Sequence, residues 1–278
     1  MVTESGITMW WGRHIISAIP RGITALWSHG GGASRVVETG LFWTMSGSSR
    51  FWVAAVVTLA FTAVARWLRG VSFSGSIAGA IVCFVLYAYA GPGAFAALVS
   101  VFVLTWVATR FGYRRKQSLG TAEHREGRTA GQVLANLTTA TASALGFALN
   151  GNARFLVAMA AALSEAAADT VSSELGQAKS DRARLITNWE LVAAGTDGGV
   201  TAMGTLAGIV AAAVVSGICL LTRLVPLRWA AVSLIAGVVG MLADSYLGAI
   251  FEGRRLLNND WVNFLSTLVA AAIALLLA

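Results

Sequence analysis

The chain has 278 residues, of which 56% are hydrophobic and only 12% are charged. Soluble domains carry about 25% charged residues, and apolar stretches of about 20 residues recur along most of this chain. The composition therefore excludes an ordinary soluble enzyme and indicates an all-α polytopic membrane protein. The net charge of +7 is a signal of topology. The sequence has no stripe of basic residues interleaved with aromatic ones, which would have indicated binding to nucleic acid.

The first predicted unit, residues 1–50, contains aromatic and aliphatic residues interleaved with basic and small ones, as in MWWGRHIISAIPRGITALWSHGGG (9–32). This pattern favours an amphipathic segment that lies at the membrane interface, interrupted at Pro20 and closed by glycines. A disordered tail is the alternative.

The remainder, 51–278, is predicted to form one transmembrane helical domain with about eight spans. The predicted spans are 51–69, 73–90, 93–111, 131–149, 154–175, 199–222, 229–250 and 261–277.

Most of the basic residues outside the N-terminal unit fall on one side of these spans. Because Lys and Arg collect in cytoplasmic loops, we expect that side to face the cytoplasm and both termini to lie opposite. The expected location is the cell membrane of a bacterium or an archaeon. The basic residues on the expected cytoplasmic side are Arg66, Arg69, Arg110, Arg114, Arg115, Lys116, Arg125, Arg128, Lys179, Arg182, Arg184, Arg254 and Arg255.

A short internal similarity links ADTVSSELG (168–176) at the end of the fifth span with ADSYLGAIF (243–251) at the end of the seventh. Two parallel helix–loop–helix units that face one another would bring Asp169 and Asp244 to a similar depth. A chance match is the alternative.

Acidic residues in the fifth span are the main candidates for function. Glu165 and Asp169 share one helix face, and Glu174 follows nearer the helix end. At about 1.5 Å per residue, Asp169 lies about 10 Å and Glu165 about 16 Å inside Gly176. A carboxylate at such a depth costs about 3 kcal/mol and usually marks a functional site, although a structural role in helix packing is the alternative.

Other polar residues are predicted at the same membrane face. Gly198 and Gly199 would open the sixth span and offer backbone N–H groups to phosphate oxygens, while Asp197 could be a helix cap. Asp260 could likewise be a cap at the start of the last span. Further candidates for binding substrate or phosphate are Arg128, Asn136, Ser173, Lys179, Arg184, Thr196, Asn259 and Asn263.

Carboxylates buried beside loop cations are what a site for a divalent metal and phosphates requires. Mg²⁺ binds through one or two carboxylates, with phosphate oxygens and water completing its shell. Phosphoryl transfer needs positioning and charge neutralisation more than a nucleophilic side chain. Asp169, Glu165 and Asp244 are the predicted metal ligands and, with Glu174, the predicted catalytic residues.

Several blocks of the sequence, in order, resemble the integral-membrane family catalogued as domain of unknown function 92, which includes transmembrane protein 19 and the phytyl-phosphate kinase of vitamin E biosynthesis. The resemblance covers residues 55–278. The blocks are SFSGSIAGAIV, EGRTAGQVLAN, SEAAADTVSSELG, GTDGGVTAMGTLAG, ADSYLGA and NNDWVNFLS.

This resemblance implies a kinase that phosphorylates a prenyl monophosphate, such as phytyl or geranylgeranyl phosphate, to the diphosphate. The expected partners are the lipid substrate, the bilayer, Mg²⁺ and a nucleoside triphosphate, CTP or ATP. The alternative from the residues is a transporter or flippase in which Glu165 and Asp169 bind a coupling cation near the midplane.

Overall fold

The computed structural model describes residues 47–123 and 125–278. Of the predicted interfacial unit, residues 1–46 lie outside this part, and residues 47–50 form the first turn of a helix. The described residues form nine α-helices and three short strands. In chain order they are α1 (Gly47–Trp67), α2 (Phe73–Val85), α3 (Pro92–Arg110), α4 (Tyr113–Leu119), α5 (Ala130–Asn150), α6 (Arg154–Lys179), β1 (Arg182–Leu185), β2 (Leu191–Ala193), β3 (Gly199–Val200), α7 (Ala202–Leu221), α8 (Leu227–Leu247) and α9 (Asn259–Leu277).

The predicted class, a helical polytopic membrane protein, is confirmed. Seven helices in the described part of the chain are long and apolar enough to cross a membrane. Two of them, α2 and α8, are extended by π-helical turns at Leu86–Ala90 and Gly248–Glu252. Helix α5 coincides with the predicted fourth span and has 21 residues, but it is not one of these seven helices. The total of eight spans therefore stays a prediction.

Helix α6 lies at the centre of the bundle and packs against α3, α5, α7, α8 and α9. Between Val157 and Ala168 all of its residues are buried, and most of them are alanines. Such small side chains let neighbouring helices approach closely. Close packing of this kind drives helix association in a membrane, because the hydrophobic effect does not favour helix–helix over helix–lipid contacts. The sequence of α6 therefore makes it the helix around which the others assemble.

Glycines and serines on the neighbouring helices complete this close packing. A Cβ atom at Gly204 of α7 would lie 2.5 Å from the carbonyl oxygen of Ser172. Serine hydroxyls also link three helices, since Ser164 on α6 is 2.9 Å from Ser216 on α7, which accepts a hydrogen bond from Ser233 on α8. Such interhelical hydrogen bonds satisfy hydroxyl groups that lipid could not.

The loop between α6 and α7 folds into a small antiparallel sheet with the strand order β2–β1–β3. This corrects the predicted start of the sixth span at residue 199. Gly199 pairs with Leu185 in the sheet, and the helix begins only at Ala202, where the Thr201 side chain accepts a hydrogen bond from the Gly204 N–H. Gly199 and Val200, which the apolar pattern assigned to the helix, thus form a strand because their backbone pairs with β1.

The close contact at Gly204 predicts a change in stability. Gly204→Ala should lower the free energy of unfolding by roughly 1–3 kcal/mol, because the added methyl group meets the backbone of α6. Gly217→Ala in the same helix is the matched control, since a Cβ there meets no atom within 4 Å and alanine favours the helix by about 1 kcal/mol. Thermal unfolding in detergent measures both variants. Equal midpoints for the two would contradict the packing described for Gly204.

Candidate functional site

A cavity of about 470 Å³ lies at the end of the bundle where α6 and α8 end and α5, α7 and α9 begin. Its wall is mainly polar, in contrast to the apolar helices around it. Of the residues predicted from sequence, it brings together Arg128, Asn136, Asp169, Ser173, Glu174, Thr196, Asp197, Gly198, Gly199, Asp244, Asn259 and Asn263. Residues up to 135 positions apart in the chain thus share one cavity, as the convergence of helix ends requires.

Asp169 of α6 and Asp244 of α8 form the acidic centre of this cavity. Their carboxyl groups lie close enough to interact electrostatically, and Oδ2 of Asp244 is buried without a hydrogen-bond partner among the described residues. Two adjacent carboxylates repel one another unless a proton or a cation lies between them. The expected meeting of these aspartates at a similar depth is therefore observed, while the repeat proposed to explain it stays a prediction.

Glu165 lies one turn deeper on α6 and does not line the cavity. Its side chain is 1% exposed, close to the Ser266 hydroxyl and to Asp169. Among the described residues, neither of its carboxylate oxygens has a hydrogen-bond partner, and the Ser266 hydroxyl already donates to the Asn263 carbonyl at 3.0 Å. Glu165 is thus set behind the aspartate pair, so the predicted set of three metal ligands does not face the cavity together.

Glu174 has a partner that the sequence did not reveal. Its carboxylate accepts hydrogen bonds from Lys116, with which it forms an ion pair, and from the Thr109 hydroxyl at 3.0 Å. Lys116 is fully buried, and its ammonium group also donates to the carbonyls of Ala108 and Thr109. Through this pair α4 and the end of α3 are held against α6. Glu174 therefore contributes to the fold as well as to the wall of the cavity.

Arg128 enters the cavity from the segment that precedes α5. Backbone hydrogen bonds hold it, from Arg128 N–H to the Gly70 carbonyl and from Ser72 N–H to the Arg128 carbonyl. Gly75 of α2 packs directly on that carbonyl, where a Cβ atom would have no space. The guanidinium donates to the Thr170 hydroxyl at 3.3 Å and lies close enough to Asp169 to interact electrostatically. The SFSGS and EGRTAG blocks thus fix a cation beside the acids.

Glycines of the predicted phosphate cradle adopt a different arrangement. Asp197 is not a helix cap, because Thr201 caps α7. Gly198 has a φ of +75° and packs against Ala249 of the π-helical turn, and the Gly199 N–H donates to the Thr196 carbonyl at 2.8 Å. The glycines therefore form a tight turn beside the cavity instead of a helix N-terminus. Partial burial in this turn raises the pKa of Asp197 above its ordinary value.

Three other predicted residues do not line the cavity. The Lys179 ammonium lies over the Phe111 ring, 5.1 Å from its centroid, and the exposed Arg184 donates to the Trp189 carbonyl within the sheet loop. Asp260 is not the cap of α9, which is Asn258. Its Oδ2 lies beside Gly131 at the start of α5, where the helix dipole favours a carboxylate.

The cavity is also lined by polar residues that the sequence analysis did not predict, above all Glu252, Glu123, Gln132 and Gln177. Glu252 ends the π-helical turn after α8 and interacts electrostatically with Asp197 and Asp169. Glu252 could have been predicted as a site residue, because it is an acidic residue at the end of an apolar span. Glu123 accepts a hydrogen bond from the Gln132 amide at 2.9 Å, a contact that no local pattern indicates.

The charges of the cavity are strongly unbalanced. Among the described residues that line it, Arg128 is the only cation, whereas the wall carries the carboxylates of Glu123, Asp169, Glu174, Asp197, Asp244 and Glu252. A low-dielectric, acid-rich cavity of this kind attracts cations and repels bare phosphates. Among the described residues, no three His, Cys, Asp or Glu side chains are grouped so that they could hold a metal ion, so a divalent cation in this cavity would need ligands from water or a bound phosphate as well.

Comparisons with known proteins give one consistent result. The model of the family described as "Integral membrane protein DUF92" matches residues 56–271. Uncharacterized membrane protein MJ0933 of Methanocaldococcus jannaschii is 31% identical over 84% of this chain and 97% of its own length.

Two further relatives match a smaller share of the chain. Protein VTE6, chloroplastic, of Arabidopsis thaliana is 29% identical over 76% of this chain and 66% of its own length. Uncharacterized membrane protein sll0875 of Synechocystis is 29% identical over 69% of this chain and 76% of its own length. No solved structure matches the chain.

The buried ion pair predicts a specific pattern of stability. Lys116→Met should lower the free energy of unfolding by about 3–5 kcal/mol, because it leaves the Glu174 carboxylate without its ammonium partner. The double variant Lys116→Met/Glu174→Gln should recover a large part of that loss, since no buried charge then remains unpaired. Thermal unfolding of the three proteins in detergent measures the effect. A double variant no more stable than Lys116→Met would show that the pair is not the source of the loss.

Proposed function

We propose that this chain, which belongs to the DUF92 family of integral membrane proteins, is a lipid-phosphate kinase. It would transfer a phosphoryl group from a nucleoside triphosphate, CTP or ATP, to a prenyl monophosphate and so form the diphosphate. The observation that carries the proposal is the acid-rich cavity with a single lining arginine, at the end of a bundle whose outer surface is apolar. The family resemblance to phytyl-phosphate kinase supports the same substrate class.

The proposed reaction is an in-line displacement at phosphorus. A phosphate oxygen of the prenyl monophosphate forms a bond to the γ-phosphorus of the nucleotide, and the bond from that phosphorus to the β–γ bridging oxygen breaks. The products are the prenyl diphosphate and the nucleoside diphosphate. The attacking oxygen belongs to a phosphate that is already largely ionised near pH 7. The protein therefore needs to position the two phosphates and reduce their repulsion, and it needs no side-chain nucleophile.

Arg128 is the residue best suited to hold the lipid phosphate. A guanidinium presents five N–H donors in a planar fork that matches phosphate oxygens. The bond to Thr170 and the backbone contacts to Gly70 and Ser72 set its orientation before substrate arrives. Asn136, Asn259 and Asn263 offer neutral amide groups from α5 and α9 at the same cavity. These residues would orient the phosphates without adding negative charge.

Asp169 and Asp244 fit a two-carboxylate Mg²⁺ site, because they are adjacent and an oxygen of Asp244 is buried without a partner. Mg²⁺ bound there would neutralise charge on the transferring phosphoryl group. Glu165, behind the pair and away from the cavity, would add to the negative field that attracts a cation to the aspartates. Asp197 and Glu252 would add to the negative field at the glycine turn.

A cytoplasmic position for the cavity is part of the proposal. Basic residues are more numerous at the cavity end of the bundle than at the opposite end, and Arg114, Arg115, Arg182 and Arg254 are examples from its connecting segments. Such an excess favours the cytoplasmic side. Nucleoside triphosphates are also available on that side. The cavity would thus receive nucleotide from the cytoplasm and lipid from the inner leaflet.

Substitution of the aspartate pair tests the activity. Purified protein with labelled CTP or ATP should phosphorylate a prenyl monophosphate in the presence of Mg²⁺, and Asp169→Asn or Asp244→Asn should lower kcat about 100-fold or more, because several kcal/mol of charge stabilisation are lost. Asp181→Asn is the matched control, since its side chain is 93% exposed and, within the described part of the chain, forms an ion pair with Arg115.

Three outcomes would contradict the proposal. Unchanged transfer in Asp169→Asn would remove the residue from the site, and the absence of transfer in the unsubstituted protein would remove the activity. Nucleotide-independent uptake of cations into liposomes would favour a transporter. Against that alternative, none of the residues of α6 between Arg154 and Ser164 is acidic, so the carboxylates do not continue towards the other end of the bundle.

Cysteine labelling tests the orientation. In a background with Cys83 and Cys219 replaced by alanine, we expect Asp181→Cys at the cavity end to react with an impermeant maleimide only after the cells are opened. Asn152→Cys, exposed at the opposite end, should react on intact cells. The reverse pattern would place the cavity outside the cytoplasm and exclude cytoplasmic nucleotide as the co-substrate.

A further inference from the structure

A second cavity, of about 310 Å³, lies next to the acid-rich one. It is enclosed by the ends of α1 and α3, the starts of α2 and α5, and Ala166 of α6. Its deeper wall is apolar and includes Phe61, Leu98, Val101, Phe102 and Leu137. Its volume falls at the lower end of the range of about 300–1,000 Å³ that is usual for binding sites of small ligands.

The two cavities meet at four residues that line both of them: Glu123, Arg128, Gln132 and Asn136. Arg128 is the cation among these, and its guanidinium also interacts with Asp169. A group bound by Arg128 is therefore in contact with the acid-rich cavity on one side and with the apolar cavity on the other. No other described cation lines both.

The mouth of the apolar cavity is basic. Arg69, Arg110 and Arg125 line it together with Arg128. Arg110 is fixed by its bond to the Leu68 carbonyl and by the Trp106 ring, 4.2 Å from the guanidinium carbon to the ring centroid. From Arg110 to Leu98 the wall follows α3 inward for about 18 Å. Positive charge at the mouth and apolar walls at depth are complementary to an anionic head with a long hydrocarbon tail.

We propose that this second cavity binds the hydrocarbon tail of an isoprenoid monophosphate, with the phosphate held at Arg128 and directed towards Asp169 and Asp244. The inference rests on the proposed function and assigns its tail site. The tail is held between helices of the protein, and the length of the cavity along α3 sets how long a tail is accepted. Arg128 is accordingly a binding residue shared by the tail site and the site of phosphoryl transfer.

Gly79 of α2 allows a direct test. It lines the apolar cavity, and a Cβ atom at this position meets no atom within 4 Å. Larger residues at position 79 therefore extend into empty space, and they favour the helix over glycine. Gly217 is the matched control, because it also lies within a helix with open space at its Cβ position but lines neither cavity.

The first experiment measures binding without nucleotide. The full chain in nanodiscs is exposed to a photoreactive twenty-carbon isoprenoid monophosphate, and the labelled residues are identified by mass spectrometry. We expect labels on α1 and α3 around Phe61, Val101 and Phe102, removed by unlabelled isoprenoid monophosphate but not by inorganic phosphate or excess phosphatidylglycerol. Labels confined to the outer surface, or labels removed equally by phosphatidylglycerol, would overturn the proposal.

The second experiment uses the variants. Gly79→Ala, Gly79→Leu and Gly79→Phe should weaken binding progressively, with a loss of about tenfold at leucine, as expected when about two methylene groups of the tail lose their contacts. Gly217→Leu should bind as the unsubstituted protein does. Equal binding by Gly79→Leu and Gly217→Leu, with unchanged thermal midpoints, would overturn the assignment of the cavity.

Kinetics separate this inference from the proposed activity. If the protein is a kinase, Gly79→Leu should raise KM for the twenty-carbon substrate much more than for a five-carbon isoprenoid monophosphate. Specific labelling of the cavity without phosphoryl transfer would refute the proposed activity and leave the tail site standing. Transfer with the same KM for the long substrate in Gly79→Leu would refute the tail site and leave the kinase standing.

Discussion

The whole arrangement depends on one constraint, the enclosure of the central part of α6 by other helices. A helix that carries Glu165 and Asp169 cannot face lipid, since an unsatisfied carboxylate in hydrocarbon costs several kcal/mol. The alanines in its buried central part remove the side-chain bulk that would keep neighbours apart. The enclosing helices bring their own polar ends to the same place, and the cavity is where those ends meet. The packing of apolar segments and the location of the polar site are therefore two results of one sequence feature.

Much of this could be predicted from periodicity and polarity. Apolar runs predict the long helices. The acidic residues of α6 predict a functional site, because membrane helices rarely carry charge. The short similarity between ADTVSSELG and ADSYLGAIF predicted a similar depth for Asp169 and Asp244, and both line the same cavity. Each of these inferences uses residues that are close in the chain, or a pattern that repeats along it.

What could not be predicted depends on partners that are distant in the chain. Gly199 belongs to a strand because Leu185 pairs with it, and nothing in GTDGGV indicates that partner. Lys179 and Arg184 are basic residues in a loop near the cavity, but a phenyl ring and a backbone carbonyl take up their charged groups. Sequence gives the charge of a side chain and its approximate depth, whereas its direction is set by whichever neighbour lies within reach.

The position of Arg128 links chemistry and selectivity in the proposed enzyme. The residue is held by the backbone at Gly70 and Ser72, so the segments that bear the tail cavity also orient the guanidinium. A phosphate that reaches this group on a tail of unsuitable length would be held too shallow or too deep relative to Asp169. Selection among lipids would then appear in the rate of transfer as well as in affinity, as expected when binding energy from a remote part of a substrate positions its reacting end.

The π-helical turn at Gly248–Glu252 has a consequence for the evolution of the family. A π-helical turn accommodates one residue more than the α-helical turn that it replaces. The loss of one residue there would restore a regular helix and rotate the following side chain by about 100°, which would turn Glu252 away from Asp197. Relatives with a one-residue gap at this point would keep every helix and every aspartate of the bundle, and yet present a different rim at the cavity. Variation in chain length at this turn is thus a means of changing specificity without changing the fold.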